Sequence, residues 1–188
     1  MSLFHYIAAG KELKLGSFGL KQSEGEKRKK WLEKFFEEAK NKPKGTIFEL
    51  IDLTNVSEDE IEVYDTWEDA TGIYVEEITK EEEEVRKHFK NKFVYRIFGN
   101  FYISERLKRI NYEKYKAHKK AINLLFDYIS SNLSEGEIIE VYSCYWGEWD
   151  RKPEIISNID LNNFELPEEF ELRCGEYIVF KKGSKILS

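Results

Sequence analysis

The feature that most restricts this chain is a stripe in residues 111–133. Tyr115, His118, Ile122, Leu125, Phe126, Ile129 and Leu133 recur at steps of three and four, while Lys114, Lys116, Lys119 and Lys120 fall off the stripe. That spacing gathers the apolar side chains on one side of an α-helix, where a second layer has to take them out of water. Strands supply that layer. Leu3–Ala9 is an apolar and aromatic run ended by Gly10, and Glu137–Trp146 alternates at strand period. Ser134 to Gly136 closes the helix between them and the next strand.

The remaining elements are read in the same way. Between Glu24 and Lys42, the residues Trp31, Leu32, Phe35, Phe36 and Ala39 form a second helical stripe, ended by Pro43 and Gly45, and are expected in the core. Thr79-Lys80-Glu81-Glu82 reads as a capping box. It predicts an α-helix with Glu81–Glu84 solvated in its first turns, Arg86, Lys87 and Lys90 in its last, and Glu82/Arg86 and Glu83/Lys87 as pairs four apart. Strands are expected at 46–53, at 61–67 and 72–78 as a hairpin around Glu68-Asp69-Ala70-Thr71, and at 93–103 with a break near Gly99-Asn100. A closing hairpin is expected to turn at Gly175-Glu176 between 170–174 and 177–181. Residues 147–169 read as a surface excursion.

With no regular strand–helix–strand order, these elements predict an α+β fold: a mainly antiparallel mixed sheet with two or three amphipathic helices packed to one side. A chain of 188 residues suits a single compact domain, or two related lobes joined near 79–110. The idea of related lobes comes from two acidic, Trp-bearing stretches, 63–69 and 141–148, each of which follows a helix.

Several function classes find no support. No apolar run approaches a membrane span, residues 1–10 lack the pattern of a secretion signal, and the chain is expected to be cytoplasmic. Cys144 and Cys174 are too few for a disulfide framework. Leu15-Gly16-Ser17-Phe18-Gly19 lacks the Gly-Lys-Ser/Thr ending that a phosphate loop needs. His5, His88 and His118 stand in no metal-ligand spacing, so neither a metal nor a cofactor is expected.

Charge is informative through its distribution. The chain has a net charge of -6. Residues 49–85 hold 15 acidic and 1 basic side chains, whereas residues 86–120 hold 12 basic and 2 acidic ones. The basic strip from Arg86 to Lys120 carries rings among its cations, which makes RNA or another polyanion a weaker alternative partner for an acidic protein. The favoured surface is different. Asp65, Trp67, Glu68 and Asp69 are expected at one loop tip, and Trp146, Glu148, Trp149 and Asp150 at another. Large rings anchor interfaces, and carboxylates beside them steer a basic partner.

In general character such a chain resembles bacterial immunity proteins that neutralise basic toxins, a likeness of composition that rests on no motif. The segregated charge and the lack of a catalytic signature point to a non-enzymatic protein-binding module that uses these acidic, Trp-bearing loops against a basic partner. The alternative is a small hydrolase or transferase with a cleft active site, for which His118, His5 and Cys144 are the available acid/base or nucleophile residues.

Overall fold

The computed structural model describes residues 2–41 and 56–183. Contacts divide the chain into two units, one of residues 1–19 with 71–188 and one of residues 20–70. The expected strand at 46–53 lies outside the described residues.

The larger unit is built on a seven-stranded sheet ordered β2-β3-β4-β1-β6-β9-β7. Its strands are β1 (Leu3–Ala9), β2 (Gly16–Phe18), β3 (Ile73–Glu77), β4 (Phe93–Phe98), β6 (Ile138–Tyr145), β7 (Ile155–Asp160) and β9 (Glu176–Lys181). Every neighbouring pair is antiparallel except β7 and β9. A two-stranded sheet pairs β5 (Tyr102–Ile103) with β8 (Phe170–Glu171), and the helices α2 (Glu105–Ile110) and α3 (Tyr112–Asn132) follow β5. The fold class is α+β with a mainly antiparallel sheet, as the sequence predicts.

Register separates two faces, because side chains alternate along every strand. His5 opposes Ile97 and Ser143, and Ile7 opposes Tyr95 and Val141, which puts these residues on the face under α3. There Ile122, Leu125 and Ile129, all fully buried, meet Ile97, Val141, Ile178 and Phe180 in one apolar cluster. Tyr6 opposes Arg96 and Tyr142, Tyr142 opposes Tyr177, and Glu76 opposes Arg96, so these side chains share the other face. On it Tyr6, Ala8, Val85, Val94, Tyr142 and Cys144 form a second, smaller cluster.

Several expectations are corrected. Residues 80–88 form a 3-10 helix, not an α-helix, and the ion pairs accordingly fall three apart, Arg86–Glu83 at 2.6 Å and Lys87–Glu84 at 3.7 Å. A 3-10 helix turns every three residues and eclipses i with i+3, which explains the changed spacing. The capping reach of Glu82 is present, with Thr79 N–H donating to Glu82 Oε2 at 2.8 Å. Residues 61–67 form no strand, and β3 pairs with β2 and β4 in place of a hairpin partner there. The expected closing hairpin is absent. β8 pairs with β5, while β9 lies between β6 and β7. The excursion at 147–169 contains β7, and β2 lies in the Gly-spaced segment 10–19, read from the sequence as a loop.

In the unit of residues 20–70, the helix α1 (Gly25–Asn41) buries Leu32 alone. Trp31 remains 44% exposed and stacks on Phe35 at 5.0 Å, so the stripe expected in the core is in part a surface feature. Arg28 anchors α1 by donating to the carbonyls of Glu58 and Ile61.

Candidate functional site

Each acidic Trp-bearing segment takes its place in a different unit. Within residues 20–70, Asp65 accepts from the Ser23 hydroxyl at 2.8 Å and pairs with Lys27 at 3.2 Å. Those bonds hold its carboxyl below the ordinary range. Asp69 accepts from the Thr66 hydroxyl while its own N–H donates to Thr66 Oγ1, which closes the turn that carries Trp67 and Glu68. Trp67 is 68% exposed at the tip of this turn.

The second segment follows β6. Trp146 packs against Phe4 and meets Trp149 edge-on, with ring centres 5.0 Å apart in each case. Trp149 is the half-buried anchor. Its Nε1–H donates to Tyr6 Oη at 2.9 Å, and its carbonyl accepts from His88 Nε2 at 2.8 Å. Glu148 and Glu154 both bind Arg151, at 2.7 and 2.6 Å, and Asp150 is exposed beside them.

Beneath Trp149 lies a buried polar network. Tyr6 donates to the fully buried Glu82, which also accepts from Arg96 Nη1 at 3.1 Å. Arg96 in turn pairs with Glu76, its opposite on β3. Burial pushes the Glu82 carboxyl up, but the bonds from Thr79, Tyr6 and Arg96 outweigh it and hold the group ionised below the usual range. Burial, with Glu82 as the bond acceptor, pushes the Tyr6 phenol well above its ordinary value. The glutamate run was expected in solvent, and Glu82 is its exception. Glu140 is likewise fully buried on this face, where it accepts from the N–H groups of Lys90 and Asn91 and from Tyr177. Among the described residues no buried side-chain nitrogen or oxygen lacks a partner, so these carboxylates act as internal ties.

The same face carries a row of rings that sequence reasoning missed. Tyr74 opposes Phe98 on β4, and Phe4 opposes Cys144 on β6. Tyr74 and Phe98 lie 6.0 Å apart. The Arg96 guanidinium sits 4.7 Å from the Phe98 ring and 5.6 Å from the Phe4 ring. With Trp146, a strip of rings therefore crosses β3, β4, β1 and the end of β6. Tyr74, Phe98 and Trp146 are 43%, 36% and 45% exposed. The polar network under the strip and the segment 148–154 together hold five carboxylates, Glu76, Glu82, Glu148, Asp150 and Glu154, and three cations, Arg96, Arg151 and Lys152, a net of -2. The strand alternation does show Tyr74 and Phe98 on the side opposite Val75 and Ile97, but only the lateral order of strands joins them to Phe4 and Trp146.

The residues named for catalysis are arranged differently. His5 is buried, with Nδ1 2.7 Å from Ser143 Oγ, and burial lowers its pKa to about 4. His118 Nδ1–H donates to the Tyr102 carbonyl at 2.7 Å, and burial lowers its pKa against that bond. Burial raises the Cys144 thiol to about 12, far from a thiolate at neutral pH. Three surface grooves of about 440, 370 and 280 Å³ are lined by none of these three residues. Among the described residues no group of three or more His, Cys, Asp or Glu is arranged to hold a metal ion. No helix among them is long and apolar enough to cross a membrane. Comparison with known protein families, with curated proteins and with solved structures found no match.

Proposed function

We propose that this chain is a non-enzymatic binding protein that presents the aromatic strip and its carboxylate rim to a basic protein partner. The observation that supports the reading is the pairing of Arg96. Arg96, the cation inside the strip among the described residues, is already held by Glu76 and Glu82, so the exposed rings of Tyr74, Phe98 and Trp146 face outward beside unbalanced negative charge. Rings of that kind take up arginine or lysine through cation–π contact and apolar burial. Carboxylates at the rim speed the encounter. Trp67, with Glu68 and Asp69, is a second surface of the same chemistry in its own unit.

The alternative is a polyanion at the corner between α2 and α3. It is supported by Ile110 and Tyr112, 71% and 56% exposed, beside Arg109, Lys114 and Lys119, for which no ion pair is found among the described residues. Capture from nuclease-treated lysate, with wild type compared against the Phe98→Ala/Trp146→Ala variant, tests the proposal. A basic protein retained at low salt, released at high salt and lost by at least about tenfold in the variant is the expected result. Equal capture by a folded variant, or capture only of nucleic acid before nuclease treatment, overturns it.

A further inference from the structure

We propose that β7 accepts an extended, basic segment of a partner protein as an eighth strand of the sheet. This inference deepens the reading of the ring-bearing face as a surface for a basic protein and rests on it. β7 is the outermost strand, and among the described residues it pairs with β9 alone. Ile155 N–H donates to the Gly175 carbonyl at 3.1 Å, and Leu161 N–H donates to the Lys181 carbonyl at 2.9 Å. Strand alternation between those two bonds turns Ser157 and Ile159 toward β9 as well, and turns the N–H and C=O groups of Ile156 and Asn158 and the N–H of Asp160 outward, while the Asp160 carbonyl accepts from Asn163 N–H at 3.1 Å.

An outward row of this kind is a template for another strand, and chains usually blunt it with lysine, proline or a covering element. Here the edge reads Ile-Ile-Ser-Asn-Ile-Asp, with Ile155 42% and Ile156 69% exposed. Ile156 opposes Tyr177, so its side chain lies on the ring-bearing face, and the turn bearing Trp146 and Trp149 leads directly into β7.

Charge selects the occupant. Residues 148–160 carry four carboxylates and two cations. Two copies paired antiparallel about Ser157 would set Glu154 against Asp160, and each chain has a net charge of -6. Like charges directly opposite disfavour that dimer. An incoming strand with lysine at both ends and β-branched residues between them matches Glu154, Ile156 and Asp160 instead.

The probe is the end-blocked peptide Lys-Val-Thr-Thr-Val-Val-Lys, titrated into the full chain with backbone amide exchange and shifts as the readout. The expected result is slowed exchange at Ile156, Asn158 and Asp160, and no binding by the counterpart with glutamate at both ends. Asn158→Pro removes an outward N–H and leaves the bonds to β9 in place. It should weaken binding by about tenfold or more. Ile156→Lys, which adds a repelling charge without touching the backbone, should weaken it as well and serves if the proline variant does not fold.

Equal affinity in a folded variant, protection away from β7, or dimerisation through β7 overturns the inference. If Asn158→Pro leaves capture of the basic partner intact while Phe98→Ala/Trp146→Ala abolishes it, the edge-strand inference fails and the reading of the strip stands. If neither variant changes capture, both fail.

Discussion

Beneath α3 the sheet is closed by aliphatic and aromatic side chains, with Ile122, Leu125 and Ile129 fully buried against Ile97, Val141 and Phe180. Across the same strands, the opposite face holds two fully buried carboxylates, an arginine and three tyrosines under a nine-residue 3-10 helix and a turn. The first face gains from apolar area, a non-directional term that rewards any good fit. The second depends on directional bonds, and each of its groups becomes a liability if its partner is removed. That difference explains where the surface can stay open. The apolar face has to be covered completely, whereas the polar face needs cover only over Glu82, Glu140 and Tyr142, which leaves Tyr74, Phe98 and Trp146 at its margin.

Paired substitutions sharpen the contrast. Leu125→Ala should destabilise the protein by about 2–5 kcal/mol through the cavity it leaves. The loss should be similar at pH 3 and pH 7, read by denaturant unfolding. Glu82→Ala, which leaves the Tyr6 hydroxyl without its acceptor and Arg96 with Glu76 as its remaining carboxylate, should cost about 3 kcal/mol at pH 7. Because the folded-state pKa of Glu82 is depressed, its contribution is present above the unfolded value of about 4.3 and is lost as pH falls through the folded pKa. The Glu82→Ala penalty should therefore shrink toward pH 3. Equal penalties at the two pH values would erase the distinction between the faces.

His5 offers a pH test on the α3 face. Its folded pKa, about 4, lies below the unfolded value of about 6.5. Between those values the unfolded chain binds a proton that the folded chain does not, so stability falls as pH drops from 6.5 to 4, by up to about 3 kcal/mol. In His5→Gln that slope should flatten, and an unchanged slope would assign it to other groups.

Phe98→Ala and Trp146→Ala should each cost about 1 kcal/mol or less, because half-exposed rings at the margin bury little that the fold requires. A loss comparable to that of Leu125→Ala would make the strip part of the core, and thermal unfolding of the two variants decides the matter.

Much of the fold was legible because period is a local property. α3, β1, β4 and β6 follow from spacing within each segment, and so does the break at Gly99, where an added Cβ would meet the Phe101 ring at 2.5 Å. What could not be read depends on residues far apart in the chain. Glu82 looks like its solvated neighbours until Tyr6, 76 residues away, donates to it. The residues at 170–174 and 177–181 look like a hairpin, but β9 is taken by β6 and β7. The candidate site was legible in part for the same reason. Trp146, Glu148, Trp149 and Asp150 are contiguous, whereas Tyr74, Phe98 and Phe4 join them only through the lateral order β3-β4-β1-β6.

Amide hydrogen exchange of the full chain with and without the basic protein it captures tests the central claim most directly. The account predicts slowed exchange in residues 2–4, 74–76, 96–98 and 144–160, with α3 unchanged. Protection confined to residues 105–120, at the basic corner of α2 and α3, would contradict it.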